Sequence, residues 1–238
     1  MDEPTRRLYL TPLSHFSRKV RIVLRELDLA CEETYVPDLL SSDPADFGGN
    51  PILRVPVLKD GALFVIESDQ IVRHLLETYD RSADRFAFFS MDAAQRNALS
   101  IISAVMGAEV ELILSKRSGL VAASGARYFG RYREVIAHGL AWLEERAAAI
   151  WPTVEFSYLD IALLCMWDHL DDGHRREDAG TEPEVLEALQ VALDHGADEG
   201  SRVAPQCRGD FAGKDAGVAM EALPEPAAGR LRGELRQR

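Results

Sequence analysis

The spacing of hydrophobic and polar residues changes near residue 80. Before that point, short apolar runs rich in β-branched residues are separated by turn residues and by amphipathic stretches. After it, apolar residues recur every three or four positions over long stretches. The first pattern is typical of strands alternating with helices, and the second of packed helices. The sequence therefore predicts an α/β domain at 5–80, a linker at 81–90 and an all-helical domain at 91–196.

In the first domain the predicted order is β-α-β-α-β-β-α. Its last two strands form a hairpin, so the sheet must be mixed. The strands are expected at 7–10, at 31–36 and from Val55 and Ala62, the helices at 16–29 and 68–79, and a loose helix or loop at 39–49.

Two long amphipathic helices are predicted in the second domain, at 91–116 and 128–149. A further helix is expected to start with a capping box, in which the Ser157 and Asp160 side chains satisfy each other's backbone N–H groups. A last helix is expected from Thr181 to about Gly196. Beyond it, at 197–238, the chain is rich in Gly, Ala, Pro and charge, which predicts a divergent, disordered tail. Such a tail is either an extension after a shortened bundle or the product of a reading-frame change.

The most informative motif joins the third and fourth strands. Arg54, Val55 and Pro56 open a strand, and a second strand leads into Glu67 and Ser68 at the start of a helix. If the Val55–Pro56 peptide is cis, the backbone of Val55 is exposed for pairing with a peptide-like ligand. The helix start offers free N–H groups to a carboxylate. Taken alone, Ser68 is most simply an N-cap.

With these motifs in place, the chain resembles a known family. The segment from Thr11 to Arg21, then Val55-Pro56, then Glu67-Ser68, is similar to the thioredoxin-like N-terminal domain of the cytosolic glutathione transferases. The resemblance implies that Val55, flanked by Arg54 and Pro56, pairs with the cysteinyl part of glutathione. It also implies that Glu67 and Ser68 bind the γ-glutamyl end. Glutathione would be a co-substrate, with no cofactor bound.

Ser14 is the candidate catalytic residue. A hydroxyl at a helix N-terminus can donate a hydrogen bond to a thiolate and lower the pKa of the thiol. The triplet Ser14-His15-Phe16 resembles the Ser-Pro-Phe triplet of serine-type, bacterial-like family members, with His15 in place of proline. Ser14 can equally be an N-cap, and Thr11 and Ser17 are alternative activating hydroxyls.

Cysteine usage argues against redox chemistry. Cys31, Cys165 and Cys207 are scattered, and no Cys-x-x-Cys motif occurs. A dithiol mechanism is therefore excluded. Free thiols, together with the lack of a secretory or membrane-length apolar segment, lead us to expect a cytoplasmic protein without membrane contact.

The formal net charge of -12 argues against a nucleic-acid partner. The short basic run 18–21 is expected to be the solvated face of the first helix. The histidines at 138, 169, 174 and 195 show no ligand spacing, so no metal site is expected.

The favoured function is a glutathione S-transferase that conjugates glutathione to a small hydrophobic electrophile, as in detoxification. Met106 and Glu109 are the expected walls of the electrophile pocket, between the domains. The alternative is a non-catalytic interaction or stress module that keeps the same fold. The resemblance also implies a homodimer.

Overall fold

The computed structural model describes residues 6–82, 84–120, 127–151 and 156–177. The helix predicted from Thr181 and the tail predicted at 197–238 lie outside these residues. So do Cys207 and His195.

A four-stranded mixed sheet forms the centre of the first domain. Its strands are β1 (Arg6–Leu10), β2 (Glu32–Tyr35), β3 (Val57–Asp60) and β4 (Leu63–Ile66), in the spatial order β2-β1-β3-β4. β1 and β2 are parallel, whereas β3 is antiparallel to both β1 and β4. The predicted mixed sheet is confirmed, because the tight β3–β4 hairpin reverses the chain while the β1–β2 connection does not.

Two helices pack against this sheet, and three longer ones follow. They are α1 (His15–Glu26), α2 (Ser68–Tyr79), α3 (Ala93–Arg117), α4 (Arg127–Ile150) and α5 (Tyr158–Glu177). The segment expected to be a loose helix or loop contains a short 3-10 helix at Pro44–Phe47. The fold class predicted from the sequence, a thioredoxin-like domain followed by a helical region, is confirmed.

One continuous apolar core joins the sheet domain to the helices. Its members from the first domain include Leu8, Val23 and Leu75, all fully buried. Its members from the helical region include Ile102 and Leu143, also fully buried. Because α1 packs against α5 as well as α2, the first domain and the helices share this core.

Among the described helices, α3 is long and apolar enough to cross a membrane by length and composition alone. Core helices of soluble proteins meet the same criterion. In this structure Ala98, Ile102 and Val105 of α3 are buried in the shared core, and α4 and α5 are its neighbours.

The carboxylate of Asp84 holds the segment between the domains through hydrogen bonds to its backbone. Asp84 accepts hydrogen bonds from the backbone N–H groups of Phe88, at 2.7 Å, and Ser90, at 2.8 Å. The backbone N–H of Tyr158 donates to the carbonyl of Phe86 at 2.8 Å, and Phe86 is buried. The start of α5 is therefore attached directly to this segment.

The capping box predicted at the start of α5 is present. The backbone N–H of Ser157 donates to Oδ2 of Asp160 at 2.7 Å, and the backbone N–H of Asp160 donates to Oγ of Ser157 at 3.4 Å. Asp160 is 4% exposed, so this end of α5 is satisfied inside the protein rather than by water.

Candidate glutathione site

The register of the strands brings three segments that are distant in sequence to the same end of the sheet. Tyr9 of β1 lies opposite Val57 of β3, and Val57 lies opposite Ile66 of β4. One step beyond this row, β1 runs on toward the turn that leads to Ser14, β3 is preceded by Pro56, and β4 is followed by Glu67. The sequence-predicted residues of the two binding motifs therefore meet at the same end of the sheet.

Ser14 caps α1. Its side-chain oxygen accepts a hydrogen bond from the backbone N–H of Ser17 at 3.1 Å, and its own backbone N–H donates to the carbonyl of Thr11 at 3.1 Å. Ser14 thus has the capping role that the sequence left open. A capping hydroxyl uses a lone pair as acceptor, so its O–H remains able to donate to a ligand.

The two alternative hydroxyls differ in their surroundings. Ser17 is 0% exposed, and its Oγ is buried without a hydrogen-bond partner among the described residues. A ligand cannot reach it without opening the helix. Thr11 is partly exposed, and it stays an alternative to Ser14.

The Val55–Pro56 peptide bond is cis. Within the described part of the chain, no group hydrogen-bonds to the backbone N–H or C=O of Val55. The preceding turn is held by Asn50, which is 1% exposed and whose side-chain amide donates to the carbonyl of Arg54 at 2.8 Å. Arg54 points its guanidinium into solvent, 3.9 Å from a carboxylate oxygen of Glu111. Val55 therefore presents a free peptide edge on a turn that is anchored from inside.

The start of α2 differs from the sequence-based interpretation of Ser68 as a cap. The N-cap position is Glu67, no side chain of the described residues caps the helix, and Ser68 is the first helical residue. The interpretation of Ser68 as an N-cap is therefore wrong. Because no side chain occupies the first-turn N–H groups, they are available to an anion, whose charge the helix dipole favours.

Glu67 also has an unusual backbone. Its φ of 67° is in the region that residues other than glycine rarely adopt. Such a conformation costs on the order of 1–3 kcal/mol and is found mainly at functional sites. Glu67 is exposed, whereas Ser68 is 3% exposed, so only a small part of Ser68 can contact a ligand.

The sequence of residues 8–83 matches the family model described as the glutathione S-transferase N-terminal domain. The match covers the first domain and shows that this part of the chain is similar to a glutathione S-transferase N-terminal domain. The matched region contains every residue of the three motifs on which the resemblance depends. Comparison with curated proteins finds no match.

Solved glutathione S-transferase structures have a similar fold over most of this chain. A glutathione S-transferase from Methylobacillus flagellatus with glutathione bound superposes with a TM-score of 0.59 at 20% identity, covering 79% of this chain and 95% of that one. A family member from Pseudomonas fluorescens, also with bound glutathione, gives a TM-score of 0.57 at 20% identity, covering 79% and 94%. Glutathione S-transferase III in its apo form gives 0.58 at 22% identity, covering 93% and 100%.

Behind the glutathione S-transferase motifs lies a buried ion pair that the sequence did not indicate. Nζ of Lys19 donates to Oδ1 of Asp69 at 2.6 Å, and the Lys19 side chain is 0% exposed. The hydroxyl of Tyr158 donates to the same oxygen at 2.6 Å. Burial, followed by the charge of Asp69, raises the pKa of Tyr158 well above its usual value, so it remains a donor.

The interpretation of the basic run 18–21 as a solvated face is therefore wrong for Lys19. Arg18 and Arg21 agree better with a solvated face. Arg18 is paired with Asp168 and Arg21 with Glu33, and both pairs lie near the surface. Helical periodicity places Lys19 on the buried face of α1, between Phe16 and Val23. Only the tertiary position of Asp69 compensates its charge there.

His15, which replaces the proline of the serine-type triplet, is 2% exposed. Its Nε2 lies 3.2 Å from the carbonyl oxygen of Met106 on α3. Burial, and then the neighbouring His169, lowers the pKa of His15 to about 3, so its ring is neutral at physiological pH. A neutral ring can donate from only one nitrogen, so Nε2 carries the proton and Nδ1 the lone pair.

The structure does not place the predicted pocket walls on an open surface. Met106 is 0% exposed, and Glu109 is 7% exposed with Oε1 accepting a hydrogen bond from Nδ1 of His169 at 2.7 Å. The interpretation of Met106 and Glu109 as walls of the electrophile pocket is not supported by this placement, because both side chains are enclosed between helices. The spacing of apolar residues in α3 correctly indicated an apolar face. That face packs against α4 and α5 instead of lining an open pocket.

Proposed function

We propose that this protein is a glutathione transferase that holds glutathione at the shared end of β1, β3 and β4, stabilises its thiolate through Ser14 and transfers it to a small hydrophobic electrophile. The observation that carries the proposal is the sheet register, which gathers a serine-capped helix, a free peptide edge and an uncapped helix start. These three elements match the thiol, the cysteinyl peptide unit and the γ-glutamyl end of glutathione.

The start of α2 and the backbone of Val55 would bind different parts of glutathione. The α-carboxylate of the γ-glutamyl group would accept hydrogen bonds from the first-turn N–H groups of α2 and from Ser68. The carboxylate of Glu67 would pair with the α-amino group of the γ-glutamyl residue of glutathione. The cysteinyl peptide unit would form an antiparallel pair of hydrogen bonds with Val55, as an added strand does.

Thiol activation falls to Ser14. A free thiol with a pKa of about 8.5 is only a few per cent ionised at neutral pH. A donor hydrogen bond to the sulfur favours the anion, and a depression of about two units corresponds to roughly 2.7 kcal/mol. Ser14 is suited to this role because its lone pair holds the helix while its hydrogen can turn to the ligand.

The surface beside Ser14 is apolar. Leu13 is 46% exposed, and exposed leucine next to a thiolate favours a hydrophobic acceptor over a charged one. We place the electrophile against Leu13.

We also propose that the protein is a homodimer in the cytoplasm and acts in detoxification. The family resemblance supports the dimer, and the thiol of Cys31, which is not in a disulfide, agrees with a reducing compartment. Sedimentation velocity of the purified protein tests the dimer, since a single species at the mass of one chain would contradict it.

The decisive experiment is calorimetric titration of the full chain with reduced glutathione, followed by turnover with activated aryl halides, epoxides and Michael acceptors. One saturable site per chain and turnover of at least one class support the transferase. Binding without turnover by any class points to the non-catalytic module. No binding by protein with a cooperative unfolding transition refutes the glutathione site itself.

A further inference from the structure

Three side chains that could ligate a metal converge where α1, α3 and α5 meet. They are His15 from α1, Glu109 from α3 and His169 from α5. One ligand atom from each lies within 4.8 Å of the other two. We propose that these residues form a site for one Zn²⁺ ion.

Two buried ligand atoms at the meeting point lack a partner. Nδ1 of His15 and Oε2 of Glu109 are both buried without a hydrogen bond among the described residues. A buried polar atom without a hydrogen-bond partner destabilises the folded state, because it has lost its hydration. A cation between them would satisfy both atoms at once.

The hydrogen bonds of His15 and Glu109 leave one ligand atom of each side chain available to a metal ion. Nε2 of His15 is used on the carbonyl of Met106 at 3.2 Å, so Nδ1 keeps its lone pair for a metal ion. A metal-bound histidine commonly donates its second N–H to a carbonyl or carboxylate in this way. Glu109 contributes one oxygen to His169 and keeps the other unpaired.

The third ligand, His169, lies beside His15. The ring centroids of His15 and His169 are 4.2 Å apart, and the His169 side chain is 20% exposed. His169 can therefore provide a path by which an ion enters from solvent, while the other two ligands form the floor of the site.

Two histidines and one glutamate are a ligand set that Zn²⁺ takes, with a fourth position for water. Bonds of about 2.1 Å in a tetrahedron bring ligand atoms to about 3.4 Å from one another. The distances between the ligand atoms must shorten by up to about 1.4 Å, which side-chain rotations can supply. The charge of Lys19 is already matched by Asp69, so Glu109 is left to balance the ion.

The consequence for the protein is a cross-link between its two parts. His15 starts the first helix of the sheet domain, whereas Glu109 and His169 belong to the helical region. Ligands that bind only the folded state raise its stability by mass action. At free zinc about a hundredfold above the dissociation constant, we expect the thermal midpoint to rise by about 5–10 °C.

The test uses the full chain, stripped with a chelator and then titrated with Zn²⁺ against a chromogenic competitor, with metal content measured after desalting. We expect one zinc per chain, together with zinc-induced shifts of the His15 and His169 imidazole resonances in the wild-type protein. His169→Gln and Glu109→Gln should each weaken binding at least tenfold. This expectation does not depend on glutathione, which is absent from the titration.

A matched control is available on α4. His138 and Glu134 form a second histidine–glutamate pair at 3.2 Å, with both side chains largely exposed. His138→Gln should leave zinc affinity unchanged. Zinc that persists in His169→Gln, or no zinc uptake by folded wild-type protein, overturns the proposal and leaves His169 and Glu109 as a structural ion pair. Should a variant fail to fold, the imidazole shifts of the wild-type protein decide the question.

Discussion

The ammonium group of Lys19, which is fully enclosed, lies 2.6 Å from Oδ1 of Asp69. Asp69 follows Ser68 at the start of α2, and it also accepts from Tyr158 at the start of α5. One buried pair therefore fixes α1, α2 and α5 relative to one another, directly behind the proposed glutathione site. The helix start that we propose binds glutathione is therefore positioned by an ion pair outside the proposed binding surface.

Removal of the Lys19 charge should destabilise the fold. Lys19→Met leaves Asp69, whose side chain is 30% exposed, without its cation, and breaking such a partly buried pair from one side should cost up to about 3 kcal/mol. Denaturant unfolding measures this loss. Lys19→Met combined with Asp69→Asn should recover part of it. Arg73→Met, which breaks an exposed pair with Glu77, should cost less than about 0.5 kcal/mol.

The Ser14 hydroxyl should control the ionisation of bound glutathione. In Ser14→Ala we expect the thiol pKa of the complex to rise and kcat to fall about a hundredfold, because the donor to the thiolate is lost. Ultraviolet absorbance of the thiolate against pH measures the first effect. The same change removes a helix cap and should cost about 1 kcal/mol of stability.

Two further variants separate capping from activation. Ser14→Asp keeps a capping acceptor but has no hydroxyl donor, so stability should be retained while turnover is lost. Ser17→Ala deletes a buried hydroxyl that has no partner, and it should alter neither stability nor turnover much. Wild-type turnover in Ser14→Ala would assign the chemistry to Thr11 or to no hydroxyl at all.

Glu67 should recognise the amino group of glutathione. Glu67→Gln keeps the shape of the side chain and removes its charge, so glutathione affinity should fall about tenfold, or about 1.4 kcal/mol. Calorimetry with an analogue that lacks the α-amino group provides the control. For this analogue the wild type and Glu67→Gln should bind equally, and a tenfold difference there would contradict the assignment.

Cys31 should be an unreactive thiol in the native protein. Burial raises its pKa to about 11, so at pH 8 very little of it is thiolate. Alkylation by iodoacetamide should therefore quicken about tenfold per pH unit up to about 11 in the folded state. In urea the same dependence should level off near the ordinary thiol pKa of about 8.5. Mass spectrometry of the Cys31 peptide follows both rates, and a native plateau near pH 8.5 would contradict the burial effect.

Gly48 should not tolerate a side chain. Its φ is +65°, and a Cβ there would lie 2.6 Å from a ring carbon of Tyr9 on β1. Gly48→Ala should cost about 2–4 kcal/mol from the combined backbone and packing strain. Gly130 on α4 has no atom within 4 Å of the corresponding position, so Gly130→Ala should be neutral or stabilising by up to about 1 kcal/mol. Thermal denaturation of both variants makes the comparison.

Local patterns in the sequence determined most of the secondary structure of this protein. The hairpin between β3 and β4, the helix after Ile66 and the capping box of Ser157 and Asp160 all follow from residues within a few positions of one another. Turn chemistry, periodicity and reciprocal capping act over such short distances, so the sequence predicts them. The order of the three binding motifs also indicated the family.

The tertiary structure decided what the buried polar groups do. Lys19 lies at an inward-facing position of α1, but Asp69, fifty residues away, determines that its charge is kept there. Ser68 became a helical residue because Glu67 took the cap position. His15, Glu109 and His169 meet only because three helices pack together, and no spacing along the chain records that packing. Burial converts separate residues into an ion pair or a ligand set, since desolvation leaves each of them needing a partner that only the fold supplies.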